Sequence, residues 1–146
     1  MRSYQIYSIE NEVADYYYGR ERMFYDLFLQ YLYVSGSLKE IIRKQINYIT
    51  KPFPILNIHH LLNQSFLRKS EMIWDGEKYL SKRNSSENGV ELQIREQMLI
   101  LHAWGHFDSE SIFLEALKKY DGRLLAIDIE NERFGWIKPL KERKFV

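Results

Sequence analysis

The sequence predicts an α+β fold, a single domain over residues 1–146 in which helices pack against a largely antiparallel sheet. Three observations predict it. A short aromatic, β-branched segment opens the chain; stretches of helical periodicity follow as far as residue 66; period-two stretches then dominate, interrupted by one more helix. Helices grouped ahead of mostly adjacent strands favour this arrangement. A chain of 146 residues is an ordinary size for one domain, and at that size about two-thirds of the unfolded surface can be buried.

Taken in order, residues 3–9 (Ser-Tyr-Gln-Ile-Tyr-Ser-Ile) read as a strand. Asn11 is a plausible N-cap for a short helix running to Tyr18, with Glu10 and Glu12 near its positive end, and Gly19 stops it in the left-handed conformation open to glycine. Arg20 to Val34 reads as a longer helix, since Met23, Phe24, Leu27, Phe28 and Tyr31 recur at helical spacing. Ser35-Gly36-Ser37 breaks it, and a third helix covers residues 37–49 until Lys51-Pro52-Phe53-Pro54 removes backbone donors. A short helix is expected through His59–Phe66. Period-two stretches at 71–80 and 90–104 flank a polar run, Ser81 to Gly89, read as a mobile loop. Asp108 is expected to cap a helix to Tyr120, with Phe107 stapled onto Ile112 and Gly122 ending it. Leu124–Glu130 and Arg133–Lys138 form a strand pair turning at Asn131-Glu132. A basic tail follows.

Composition narrows the function. The hydrophobic fraction is 45% and the charged fraction 28%, as in soluble globular domains. The absence of cysteine removes disulfides, thiolate metal sites and a cysteine nucleophile, and fits a reducing cytoplasm. A net charge of +1 makes no chain-wide electrostatic claim on nucleic acid. No apolar signal region follows Met1 and no run reaches membrane-spanning length, so a cytoplasmic location is expected.

Catalytic patterns are thin. The seven glycines form no phosphate-cradling motif and no nucleophile elbow. The four histidines fall as His59-His60 and as His102 and His106. On a strand, positions 102 and 106 share a face but lie about 13 Å apart, so structural roles are expected and no metal or other cofactor is. Asp108/Glu110 and Asp128/Glu130 have D-x-E spacing. The first pair sits at a helix start; the second would share a strand face, which leaves a metal-dependent hydrolase around Asp128/Glu130 as an alternative without a visible third ligand. The tail Lys138 to Lys144 supplies another alternative, a small nucleic-acid-binding protein.

Two features point to protein binding. With about 100° per helical residue, Val13, Tyr16 and Tyr17 share a face while Tyr18 points elsewhere, so three adjacent tyrosines cannot all enter one core. Tyr18 is expected to pack inward beside Gly19. Gln45 lies near the middle of the apolar stripe of Leu38, Ile41, Ile42 and Ile49, about 20° from Leu38 by phase. A buried amide without partners costs about 1–3 kcal/mol, so either Gln45 is satisfied internally or this part of the stripe meets something outside the fold.

Several segments carry a resemblance: Tyr17-Tyr18-Gly19-Arg20-Glu21; Gln45 through Leu56; Ser111-Ile112-Phe113-Leu114-Glu115; and the ending from Phe134 to Val146. They resemble the sporulation inhibitor of replication family, SirA, of endospore-forming bacilli. The likeness runs almost end to end and is poorest over about 60–95. It implies a regulator that is not an enzyme, which binds the N-terminal domain of the replication initiator DnaA and blocks new rounds of initiation. It also implies contact positions at Val13, Tyr17 and Gln45, with Tyr16 as a neighbour. Val13 departs from the family, where a phenylalanine is familiar; the smaller side chain forfeits about 1 kcal/mol of burial.

Overall fold

The computed structural model describes residues 1–66 and 71–140. The opening strand, β1 (Arg2–Ile9), lies in the interior of the sheet because both its faces carry apolar side chains. Tyr4 and Ile6 pack on one side and Tyr7 and Ile9 on the other. Alternating side chains of one strand point to opposite faces, so such a strand must be covered twice.

The helices supply the two covers. After β1 come α1 (Asn11–Tyr16), α2 (Arg22–Tyr33) and α3 (Gly36–Ile49). Then follow β2 (Thr50–Lys51), α4 (Ile55–Phe66), β3 (Met72–Trp74), β4 (Lys78–Ser81), β5 (Gly89–Ile94), β6 (Leu99–Trp104), α5 (Asp108–Leu117), β7 (Arg123–Asp128) and β8 (Arg133–Trp136). Ala14 of α1 and Phe24, Tyr25 and Phe28 of α2 cover Tyr7, Ile9, Leu125 and Ile127. Ile58, Leu62 and Phe66 of α4 and Phe113, Ala116 and Leu117 of α5 cover Ile6, Leu92, Leu99, Leu101 and Leu124. Tyr7 stacks on Phe28 with ring centroids 4.0 Å apart, and burial, with a smaller contribution from Tyr31, pushes its phenol pKa up to about 12.

The sheet is antiparallel and open, in the order β3-β4-β5-β6-β1-β7-β8. β6 pairs with β1 from Arg2↔Ala103 to Ile6↔Leu99, and β2 then takes over at Ser8↔Lys51 and Ile9↔Thr50. That short strand anchors the C-terminal end of α3 to the sheet, helped by the Thr50 hydroxyl donating to the Ile46 carbonyl at 2.8 Å.

The expected α+β architecture is therefore present, with local differences. Glu10, not Asn11, occupies the cap of α1, and its backbone N–H donates to the Ile49 carbonyl at 2.8 Å. At α5 the cap is Phe107, and Asp108 and Glu110 lie in the first turn. The expected staple onto Ile112 is absent: Phe107 is 72% exposed, with the Arg2 guanidinium 4.6 Å from its ring centroid. The helix stops at Leu117, and reverse-turn bonds carry the chain to Tyr120 before Gly122 is reached. The polar loop before β5 is tied down: the Asn84 side chain bonds both backbone groups of Val90 at 3.0 Å, and Trp104 Nε1 donates to the Ser85 carbonyl at 2.7 Å. No described helix is long and apolar enough to cross a membrane.

Candidate functional site: an aromatic groove between helices

Helices α1 to α3 have more apolar surface than the sheet can cover. In α3 only Ile42 is buried. Leu38 and Ile41 of the predicted stripe are each 53% exposed, so part of that stripe faces outward. Gln45 is exposed with it, so its amide faces outward and is not a buried group.

α1 stands across from this face. Val13, Tyr16 and Tyr17 of the α1 segment, Met23, Phe24 and Leu27 of α2, and Ile41, Gln45, Tyr48 and Ile49 of α3 line one open groove of about 840 Å³. Glu12 and Lys44 add one charge of each sign. All four residues singled out from the sequence, Val13, Tyr16, Tyr17 and Gln45, are thus brought together on two facing helices. The helical period explains the convergence: 13, 16 and 17 form one ridge, and 41, 45 and 48 form another.

The wall is graded in burial. Tyr17 is half-buried and meets Phe24 edge-on, with centroids 5.6 Å apart. Phe24 in turn meets Trp136 of β8 at 6.1 Å. Tyr16 is 69% exposed and stands edge-on to Tyr17 at 4.9 Å. Tyr18 corrects the inward reading: it is 45% exposed, because the chain leaves α1 after Tyr16 and turns at Gly19, whose φ is +82°. Beyond the C-cap at Tyr17 the phase argument no longer holds.

Sequence reasoning missed Tyr48. It is 82% exposed and lies on the groove. Its signal was available, since by helical phase it falls about 20° from Ile41. A stripe centred on Leu38 drew attention to the other side. A smaller concavity of about 340 Å³ lies between α5 and β8, lined by Glu115, Lys118 and Arg133 among others. Tyr4, Phe134 and Trp136 also line it, but each is partly buried, unlike the exposed Tyr16 and Tyr48 of the helical groove.

The alternative chemistries find no assembled site among the described residues. β7 ends at Asp128, so Glu130 lies in the turn instead of sharing a strand face with it. Asp128 is buried and accepts bonds from the Asn131 backbone N–H at 3.2 Å, Asn131 Nδ2 at 2.8 Å and Arg133 Nη2 at 2.9 Å. Burial alone would raise its pKa, but these donors outweigh it and hold the carboxyl below the usual range. It anchors the hairpin turn. His102 Nδ1 pairs with the Ser3 hydroxyl at 2.8 Å, His59 Nδ1 pairs with the Tyr79 hydroxyl at 2.9 Å, and His106 lies beyond the end of β6. No group of three metal-ligating side chains occurs among the described residues. The basic tail beyond Leu140 lies outside the described residues.

An open antiparallel sheet with an apolar, aromatic-walled groove between its helices is the class of α+β protein the structure defines. Comparison with known proteins gives that class a particular member. Residues 2–141 match the family described as sporulation inhibitor of replication protein SirA. The chain is also 35% identical to the sporulation inhibitor of replication protein SirA of Bacillus subtilis (strain 168), over 99% of both chains. The chain belongs to the SirA family, a family of replication regulators and not of enzymes.

Proposed function

We propose that this protein inhibits the initiation of DNA replication as cells enter sporulation, by binding the N-terminal domain of the initiator DnaA in the cytoplasm. The observation that carries this reading is the convergence of Val13, Tyr16, Tyr17 and Gln45 on one open groove. Masking is the mechanism. The groove seats on a surface of the DnaA domain that other replication factors need, and no bond is made or broken. Tyr17 is the rigid anchor, because its ring is already held by Phe24 and loses little freedom on binding. Gln45 offers an amide with both donors and an acceptor, suited to fixing register.

Calorimetry against the isolated DnaA N-terminal domain tests the reading. A saturable one-to-one complex is expected; no heat and no complex at high micromolar concentration would overturn it. Tyr48 provides a further check. Its side chain is 82% exposed in the free protein, so Tyr48→Ala should leave the melting temperature unchanged while weakening binding by about 1–2 kcal/mol. Equal affinity in calorimetry would remove Tyr48 from the interface.

A further inference from the structure

The turn joining α1 to α2 carries a set of contacts that the groove does not itself explain. The Arg20 guanidinium lies 5.3 Å from the ring centroid of Tyr16 and 5.1 Å from that of Tyr17. Its Nη2 also donates to the Tyr16 carbonyl at 3.0 Å. Among the described residues Arg20 forms no ion pair with a carboxylate. Its charge is directed onto two aromatic faces, an arrangement that attracts a planar cation.

The next residue fastens the same turn to the sheet. Glu21 Oε1 accepts the Gly19 backbone N–H at 2.9 Å and the indole Nε1–H of Trp136 at 3.1 Å, a contact spanning 115 residues of sequence. Burial would raise the Glu21 carboxyl pKa, but these donors, with its own backbone N–H, outweigh it and hold the group below the usual glutamate value. Trp136 meets Phe24 and Phe24 meets Tyr17, so the ties converge on the aromatic wall from both sides.

We propose that Arg20 is a positioning residue that holds Tyr16 and Tyr17 in their binding orientation, and that Glu21 fixes the turn that carries it. The inference rests on the reading that the groove binds the DnaA domain. Tyr16 is the ring that needs such help, since it is 69% exposed and its ring contacts are Tyr17 and Arg20. A free ring of that kind would have to be immobilised on binding, at a cost in affinity. Holding it beforehand removes that cost.

The test uses the full chain with Arg20→Ala, Arg20→Lys, Glu21→Ala, Tyr16→Ala and the Arg20→Ala/Tyr16→Ala double variant. Each is measured for thermal melting, for affinity toward the DnaA N-terminal domain, and for amide hydrogen exchange over residues 16–21 without partner. Arg20→Ala should weaken binding about five- to tenfold with little change in melting, and Arg20→Lys should recover part of the loss by restoring a cation over the rings. In the Tyr16→Ala background the loss from removing Arg20 should fall to about threefold or less, because positioning acts through the rings. A loss that persists in full there would mean that Arg20 does not act through Tyr16, and would overturn the proposal. Amides 16–21 should exchange faster in both Arg20→Ala and Glu21→Ala, and unchanged exchange would also overturn it. If the wild-type chain fails to bind the DnaA domain, the partner reading fails, and the exchange measurement alone decides whether Arg20 and Glu21 hold the turn.

Discussion

Tyr17→Ala should weaken binding to the DnaA N-terminal domain by about 2 kcal/mol or more, roughly thirtyfold in Kd. Three properties single this ring out. It lies on the same α1 ridge as Val13, it is half-buried against Phe24, and it faces Gln45 and Tyr48 across the groove. Burial-prone aromatic side chains near the centre of an interface dominate such energetics, while rim contacts mainly exclude water. Tyr17→Phe is the informative companion. It keeps the ring and its edge-on contact, so affinity should stay within a few-fold of wild type if the anchor is the ring. Melting curves must accompany both, since losing the Phe24 contact also removes packing. Unchanged binding by a folded Tyr17→Ala variant would sink the groove assignment. Val13 sharpens the same argument from the other side. Val13→Phe adds apolar area at the groove wall and should tighten binding only if the partner leaves room for it.

The elements that were legible in the sequence are those fixed by local chemistry. Gly36, at φ +68°, breaks α2 from α3 where the Ser-Gly-Ser run places the break. Leu92 and Ile94 alternate with Glu91 and Gln93 along β5, as their spacing requires. The helix start at Ile55 was less visible, because residues 55–58 carry no cap and no periodic run of their own; Pro54 opens the helix through the Ile58 N–H to Pro54 carbonyl bond at 3.0 Å. Helix caps at Asn11 and Asp108 were misplaced for a shared reason. In each case the flanking backbone is held by tertiary contacts, the Ile49 carbonyl at one end and the Arg2 side chain at the other. Beyond the β7–β8 hairpin, strand order was not legible, since β1 joins distant partners, from Ile6↔Leu99 to Gln5↔Ile127, whose pairing leaves no local trace. The site was half legible. Helical phase put Val13, Tyr16 and Tyr17 on one face and Gln45 within an apolar stripe, and all four line the groove, yet the inward packing expected of Tyr18 failed one residue past the C-cap at Tyr17.

Arg2→Ala is expected to cost the fold about 3–5 kcal/mol, the usual penalty for stranding a buried charge, or about 10 °C in melting temperature for a chain of this size. Arg2 Nε and Nη2 make three bonds of 2.8–3.1 Å to the Glu110 carboxylate, whose side chain is only 4% exposed. The same guanidinium donates to the carbonyls of Gly105 at 2.9 Å and His106 at 2.8 Å, so it joins β1 to the segment that enters α5. Removing it leaves a buried carboxylate and two carbonyls without this donor. The pH dependence separates this cause from simple loss of packing. In wild type, burial would raise the Glu110 pKa, but bonds from Arg2 and Tyr4 outweigh it and hold the folded value below the 4.5 of a free glutamate. The pair's stabilisation is therefore complete above about pH 4.5 and is lost as pH falls through the folded pKa. In Arg2→Ala, burial is opposed only by the Tyr4 and backbone bonds, so the folded pKa rises relative to wild type and the variant gains relative stability as its carboxyl takes up a proton. The stability gap between the two proteins should be widest near neutral pH and narrow below about pH 4.5, read by urea unfolding at each pH. A gap that stays constant with pH would assign the loss to packing alone. Replacing both partners, as in Arg2→Met/Glu110→Leu, should recover much of the stability, because two apolar side chains strand no charge. Neither residue lines the groove, so folded Arg2→Ala should bind the DnaA domain within about twofold of wild type, which separates what holds the fold from what the groove does.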